Sequence, residues 1–287
     1  EVLFEGVDTN IFKKTNEFSK ELVDELKQVK ENFNFLYVGH WLQGNLGHDR
    51  KDTGMLVKVF LETFKNMKNS PALIMKTSGA TFSILDREDM LNRINQIKSS
   101  IKGDLPNIYL LHGDFTDDEM NDLYNHPKVK AHVNITHGEG FGRPLLEATI
   151  SQKPVIASGW SGHVDFLPKS TAILLGGSLE NVPKDSFPDN MYVEGSQWFT
   201  VNYSEASGVM KEVHKNYKKY TLNAKKLGTV NKSKFSLNAM TKKLSKILDE
   251  HIPEFPEEVE LKLPKLKKVN ASSGPPPKLK LPKLKKV

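Results

Sequence analysis

The chain has 287 residues, enough for one large or two modest domains, and its 38% hydrophobic and 26% charged residues are ordinary for a globular protein. No apolar run approaches the roughly 20 residues of a membrane-spanning helix. Cysteine is absent, which excludes disulfides and thiolate metal sites and agrees with a reducing, cytoplasmic compartment.

The net charge of +6 belongs to the end of the chain. Positions 261–287 hold nine lysines and no acid, so the rest carries −3. A polyanion-binding domain carries its basic surface on the fold itself, and this body does not, which argues against a nucleic-acid partner. The chain opens on Glu1 rather than Met, as a fragment would.

In chain order, residues 1–30 read as a lead-in segment with a helix. Residues 31–250 read as one strand–helix domain. Phe33–Val38, Ala72–Lys76, Ile108–Leu111, His132–Ile135, Pro154–Ala157 and Ala172–Leu175 are short apolar runs of buried-strand type. Helical patterns lie between them at Gly54–Lys68, Asp86–Ile101, Asp117–Tyr124 and Pro144–Ser151. This alternation predicts an α/β fold with a doubly wound, Rossmann-like parallel sheet, which binds ligands outside the carboxyl ends of its strands. Tyr203–Tyr217 and Leu237–His251 read as further amphipathic helices.

Thr116-Asp117-Asp118-Glu119 has the composition of an acidic metal site. It reads more simply as a capping box, with Thr116 as cap and Glu119 reaching back. No Asp-x-Asp pair occurs and the nine histidines lack ligand spacing, so we expect no metal. Residues 251–287 form a Pro- and Lys-rich tail in which LKLPKLKKV occurs twice, at Leu261–Val269 and Leu279–Val287. Such a tail is most simply flexible and solvated, with an anionic membrane surface or self-association by strand pairing as the alternatives.

The most informative stretch runs from Asn134 to Ala148. Gly138, Gly140 and Gly142 let the backbone bend between a strand and a helix, and Pro144 suits a first helical turn. Free N–H groups at a helix start form an anion site suited to a diphosphate. Glu139 and Glu147 place a carboxylate on each side of that cradle. The dinucleotide fingerprint does not fit, because the pattern is G-x-G-x-G after about the fourth strand, with no acid at the required distance.

On these residues the chain resembles the retaining GT-B glycosyltransferases, whose E-x7-E signature matches Glu139-Gly-Phe-Gly-Arg-Pro-Leu-Leu-Glu147. Further matches follow in order over about residues 2–250. Leu3–Phe12 resembles the segment entering the donor domain, Phe35–Gly39 its first strand and glycine turn, and Arg50–Gly54 its basic phosphate contact. His112-Gly113-Asp114 resembles the base-side loop, Ser158–Asp165 a Gly-rich turn with a following acid, and Phe235–Leu248 the closing helix.

The resemblance implies the carboxyl-terminal half of a GT-B fold and hexosyl transfer from a nucleoside diphosphate sugar. The acceptor would be a carbohydrate, a lipid-linked molecule or a protein, and no cofactor or metal would be needed. It assigns Glu139 to the transferred sugar and Lys51 to the departing phosphate. Glu147 falls on the ribose, and Gly39, His40, Arg50, Gly113, His137, Gly138, Gly140, Phe141, Gly142 and Arg143 on donor binding. Each has a simpler reading: Glu147 as an exposed helix acid, Glu139 as a loop acid, Lys51 as a surface lysine. Arg143 could be a helix-start cation, and His137 could simply pack beside the loop.

Two features depart from the family. His40 stands where Arg is usual, with Arg50 as a candidate substitute, and the turn from Trp41 to Asp49 is long. The amino-terminal domain, which in the family supplies much of the acceptor site, is not within these residues. The rival class is a non-catalytic nucleotide- or sugar-binding or assembly module.

Overall fold

A computed structural model describes residues 1–42, 44–79, 81–186, 191 and 193–253. The duplicated LKLPKLKKV segments lie outside the described residues.

Six strands form one all-parallel sheet: β1 (Asn34–His40), β2 (Ala72–Ser78), β3 (Ile108–Leu111), β4 (Val129–Asn134), β5 (Val155–Ser158) and β6 (Ile173–Leu175), in the order β3-β2-β1-β4-β5-β6. Strands β1, β2 and β5 read as apolar runs because helices cover both faces, while β4 carries Lys130, His132 and Asn134. Side chains alternate along β1, so Phe35 and Tyr37 enter one core while Leu36 and Val38 enter the other. The first core is covered by α2 (Thr53–Phe64), α3 (Ile84–Ser99) and α6 (Tyr203–Lys215). The second is covered by α1 (Lys20–Leu26), α4 (Asp117–Asn125), α5 (Arg143–Ile150) and α7 (Tyr217–Lys234).

The chain leaves β1 toward β2 and β3, then crosses back to place β4 on the other side of β1. That reversal is the topological switch point, where doubly wound sheets open a crevice at the strands' carboxyl ends. The loops after β1 and β4 meet there.

The local signals act as their chemistry requires. Thr116 Oγ1 accepts from Glu119 N while the Glu119 carboxylate accepts from Thr116 N, a complete capping box. Helix α2 stops at Phe64, before the expected Lys68, because Asn66 takes a left-handed φ of 58°. Helix α3 begins two residues before Asp86, since Ser83 Oγ caps it by accepting from Asp86 N. Pro144 sits one residue inside α5, which starts at Arg143.

Three elements, one helix and a pair of strands, go beyond the sequence reading. The helix expected to end at Tyr217 stops at Lys215, and the 18-residue α7 follows it. Strands β7 (Gly177–Asn181) and β8 (Gln197–Val201) pair antiparallel. Helix α8 (Leu237–His251) is tied to the lead-in segment, where Val7 N donates to Phe235 O and Leu237 N donates to Val7 O.

Candidate functional site

The loop from Gly138 to Gly142 leaves β4 and enters α5 through a left-handed Gly142 (φ 89°, ψ 48°), a conformation that glycine adopts without steric penalty. Among the described residues, the N–H groups of Gly140, Phe141 and Gly142 donate to no protein acceptor. The Gly138 and Glu139 amides are taken, by Thr136 Oγ1 at 3.3 Å and Ser161 Oγ at 3.1 Å. Three adjacent free donors at a helix start form an anion site. The Phe141 ring packs toward Phe166 at 5.0 Å, so its amide rather than its ring is free to meet a ligand.

The loop between β1 and α2 closes one side of this site. Lys51 Nζ donates to Glu139 Oε1, and both side chains are largely buried. Burial holds the Lys51 ammonium below its usual range, and the Glu139 charge opposes that shift. Arg50 Nη1 donates to Gly138 O at 2.6 Å and lies 3.5 Å from Glu139 Oε2, so this guanidinium braces the loop. Backbone bonds complete the join, with His137 N and Thr136 Oγ1 both donating to Arg50 O.

Glu147 lies on the other side, buried in α5. Tyr124 OH donates to its Oε2 at 3.1 Å and Arg143 Nε to its Oε1 at 2.7 Å. Burial pushes its carboxyl up to about 7, against the pull of Arg143. The exposed-acid alternative therefore fails on burial. Each Glu147 oxygen keeps a lone pair for a further donor.

Not every expected residue reaches the loop by its side chain. His137 is buried, its Nδ1 donating to Phe199 O at 2.9 Å and its ring stacked on Trp198 at 3.9 Å. Packing beside the loop thus describes this imidazole. Gly39, the last residue but one of β1, lies beside Tyr37, whose hydroxyl would be 2.7 Å from any added Cβ, while His40 is exposed with Nδ1 3.2 Å from Ser78 Oγ. Gly113 follows β3, three strands from β4, or about 15 Å along the sheet. Its carbonyl accepts from Lys76 Nζ at 2.7 Å.

The structure adds residues that the sequence reading passed over. Asp52 is fully buried in a left-handed conformation at the start of α2 and accepts from Tyr203 OH at 2.8 Å. Burial pushes its carboxyl up to about 8. Its Oδ1 lies 3.7 Å from His137 Nε2, so a buried acid and imidazole underpin the two loops. The turn after β5 contributes Ser161, whose Oγ donates to Glu139 O at 2.7 Å, and Gly162, whose N–H donates to the same oxygen at 3.0 Å. Gly162 and its neighbours were visible as a Gly-rich turn, but their contact with Glu139 was not.

No protein-family model and no curated protein matches the sequence. Solved structures match it in shape. Anabaena Alr3699/HepE in complex with UDP and glucose aligns at a TM-score of 0.58 and 14% identity, over 87% of this chain and 57% of that one. The C-terminal domain of a glycosyl transferase group 1 family protein (LpcC) from Francisella tularensis aligns at 0.53 and 16% identity, over 81% of this chain and 100% of that one. A glycosyltransferase from Rickettsia africae ESF-5 aligns at 0.56 and 18% identity, over 87% and 56%. This chain therefore spans a little over half the length of HepE and the Rickettsia protein. The architecture is that of the C-terminal domain of GT-B glycosyltransferases. At these identities the shared property is the fold.

Among the described residues no helix is long and apolar enough to cross a membrane, and no group of three His, Asp or Glu side chains could hold a metal ion.

Proposed function

We propose that this chain is the donor-binding portion of a retaining glycosyltransferase, moving a sugar from a nucleoside diphosphate sugar to an acceptor hydroxyl without a divalent metal. The observation that carries this reading is the set of three free amides, Gly140 to Gly142, at the switch point, with Lys51 on one side and Glu147 on the other. The presence of UDP with HepE, a protein of the same fold, agrees with it.

The chemistry is a problem of charge. As the glycosidic bond breaks, positive character grows on the sugar and negative charge on the diphosphate. Oriented N–H groups and the Lys51 ammonium stabilise that leaving charge without reorganising. Glu139, held between Lys51 and Arg50, stands where the sugar end of the donor would lie. Glu147 accepts from the ribose hydroxyls, and no enzymatic nucleophile is assigned. The acceptor, a carbohydrate, lipid-linked molecule or protein, would be presented by an amino-terminal domain across the cleft, as in the family the sequence resembles. A cytoplasmic setting, with peripheral membrane attachment through the lysine-rich tail, belongs to the same proposal.

Calorimetric titration with UDP, GDP and ADP in the presence of a chelator tests it. One diphosphate should bind without metal, and Glu147→Ala should weaken it by roughly 1–3 kcal/mol, the cost of losing hydrogen bonds to a charged group. Strict dependence on magnesium, or equal affinity of the native chain and the variant, rejects the assignment.

A further inference from the structure

Of the three tryptophans, Trp41 and Trp198 are buried at 4% and 7% exposure, while Trp160 is 39% exposed. It stands in the turn after β5, beside the loop that leaves β4. We propose that Trp160 is the platform on which the transferred sugar ring of the donor lies. This rests on the donor reading above and adds to it the residue that separates a sugar nucleotide from a bare diphosphate.

The turn is built with strain. Ser161 has φ 83° and ψ −172°, a backbone region that residues with a Cβ rarely enter and that needs surrounding structure to hold it. Its hydroxyl donates to Glu139 O at 2.7 Å and accepts from Glu139 N at 3.1 Å. Gly162 presses so close that a Cβ there would lie 1.9 Å from Gly140 O. The turn is therefore bolted to the donor loop at Glu139 and Gly140, and its conformation carries the preceding indole to Gly138. A Cβ added at Gly138 would meet Trp160 Cζ3 at 3.3 Å.

The indole is also fixed from behind. The Phe199 ring lies parallel to it within 10° at 6.2 Å, and Phe199 N donates to His137 O at 3.1 Å. A partly exposed aromatic ring backed by Phe199 and set beside the donor loop suits a ligand with an apolar face and a hydroxyl-bearing edge, which describes a pyranose.

The other flat group of a donor is its base, and the topology keeps it away. The Gly113 loop, which the sequence resemblance assigns to the base, follows β3, four strands from β5, or about 19 Å along the sheet. The turn that carries Trp160 is instead tied, through Ser161 and Gly162, to Glu139, at the end of the loop opposite Glu147.

Indole fluorescence and calorimetry on the full chain test the inference, using UDP-glucose, GDP-mannose and ADP-glucose, each beside its own diphosphate. For the nucleotide accepted, the sugar nucleotide should change the indole emission and the diphosphate should not. Trp160→Ala should lose about three- to tenfold in affinity for the sugar nucleotide and nothing for the diphosphate. Trp160→Phe should restore most of that loss. Unchanged sugar-nucleotide affinity in Trp160→Ala, or an equal loss for both ligands, overturns the platform while the donor reading stands. Failure of all six ligands to bind the native chain overturns the donor reading, and this inference with it.

Discussion

Lys51→Ala is expected to weaken nucleoside diphosphate binding about 30- to 100-fold and to destabilise the fold by roughly 1–3 kcal/mol. Both effects have one origin. The Lys51 ammonium is one of two cations facing Glu139, and the Lys51 and Glu139 side chains are only 11% and 8% exposed. Removing one partner of a buried pair leaves the other charge uncompensated, at a cost of about 3–5 kcal/mol when nothing else is near. Here Arg50 Nη1 remains 3.5 Å from Glu139 Oε2, which reduces the penalty. The loss of binding is separate, since it removes a charge-assisted contact to phosphate that no other lysine in the loop replaces. Chemical denaturation reads the first effect and calorimetry the second. A variant with native affinity shows that Lys51 serves only to hold Glu139.

Gly162→Ala is expected to cost roughly 1–3 kcal/mol of stability and at least tenfold in diphosphate affinity, from a single added methyl group. The nearest atoms to that methyl are backbone: Gly140 O at 1.9 Å, Gly140 C at 2.7 Å and Glu139 O at 3.0 Å. A flexible side chain could swing away, whereas a carbonyl can move only if the loop moves with it. That loop carries the free amides, so destabilisation and lost binding should appear together. Gly140→Ala is the control, because a Cβ at Gly140 meets nothing within 4 Å. It should leave stability within about 0.5 kcal/mol of native, as exposed substitutions do. Equal effects of the two variants contradict this packing account.

Strands β1, β2 and β5 could be read from the sequence because burial on both faces makes them apolar runs, whereas β4 spans Val129–Asn134 rather than the expected His132–Ile135, because Lys130 interrupts its apolar pattern. The Thr116–Glu119 box could be read because both halves of the cap lie within four residues. The Gly138–Gly142 loop was legible for a similar local reason: its glycines and Pro144 state the turn and the helix start.

What escaped depends on distant partners. Helix α7 is rich in Lys and Asn and buries little apolar surface. It is held instead by Asn231 Nδ2, which donates to Thr149 Oγ1 at 3.0 Å and Phe166 O at 3.1 Å, and by Gly228, which packs against Thr149 O. Strand β7 is exposed at all five residues, so it shows none of the alternation that marks a half-buried strand. The site divides in the same way. Glu139, Lys51 and Glu147 were named from the sequence, whereas Tyr124, Asp52 and Ser161 were not, because their roles arise from contacts 22 to 151 residues away in the chain.

Diphosphate binding at the switch point depends on three amides at the head of α5, and their chemical shifts report it most directly. In a ¹⁵N-labelled chain titrated with the nucleoside diphosphate that binds, without metal, the N–H resonances of Gly140, Phe141 and Gly142 should move furthest and gain protection from exchange. The Lys51 amide and the Trp160 indole N–H should move less with the bare diphosphate. If the largest shifts fall instead around the separate cavity between β6 and α7, at Lys169, Ile173 and Asn223, while Gly140 to Gly142 stay still, the diphosphate is not held at the switch point and the central claim is contradicted.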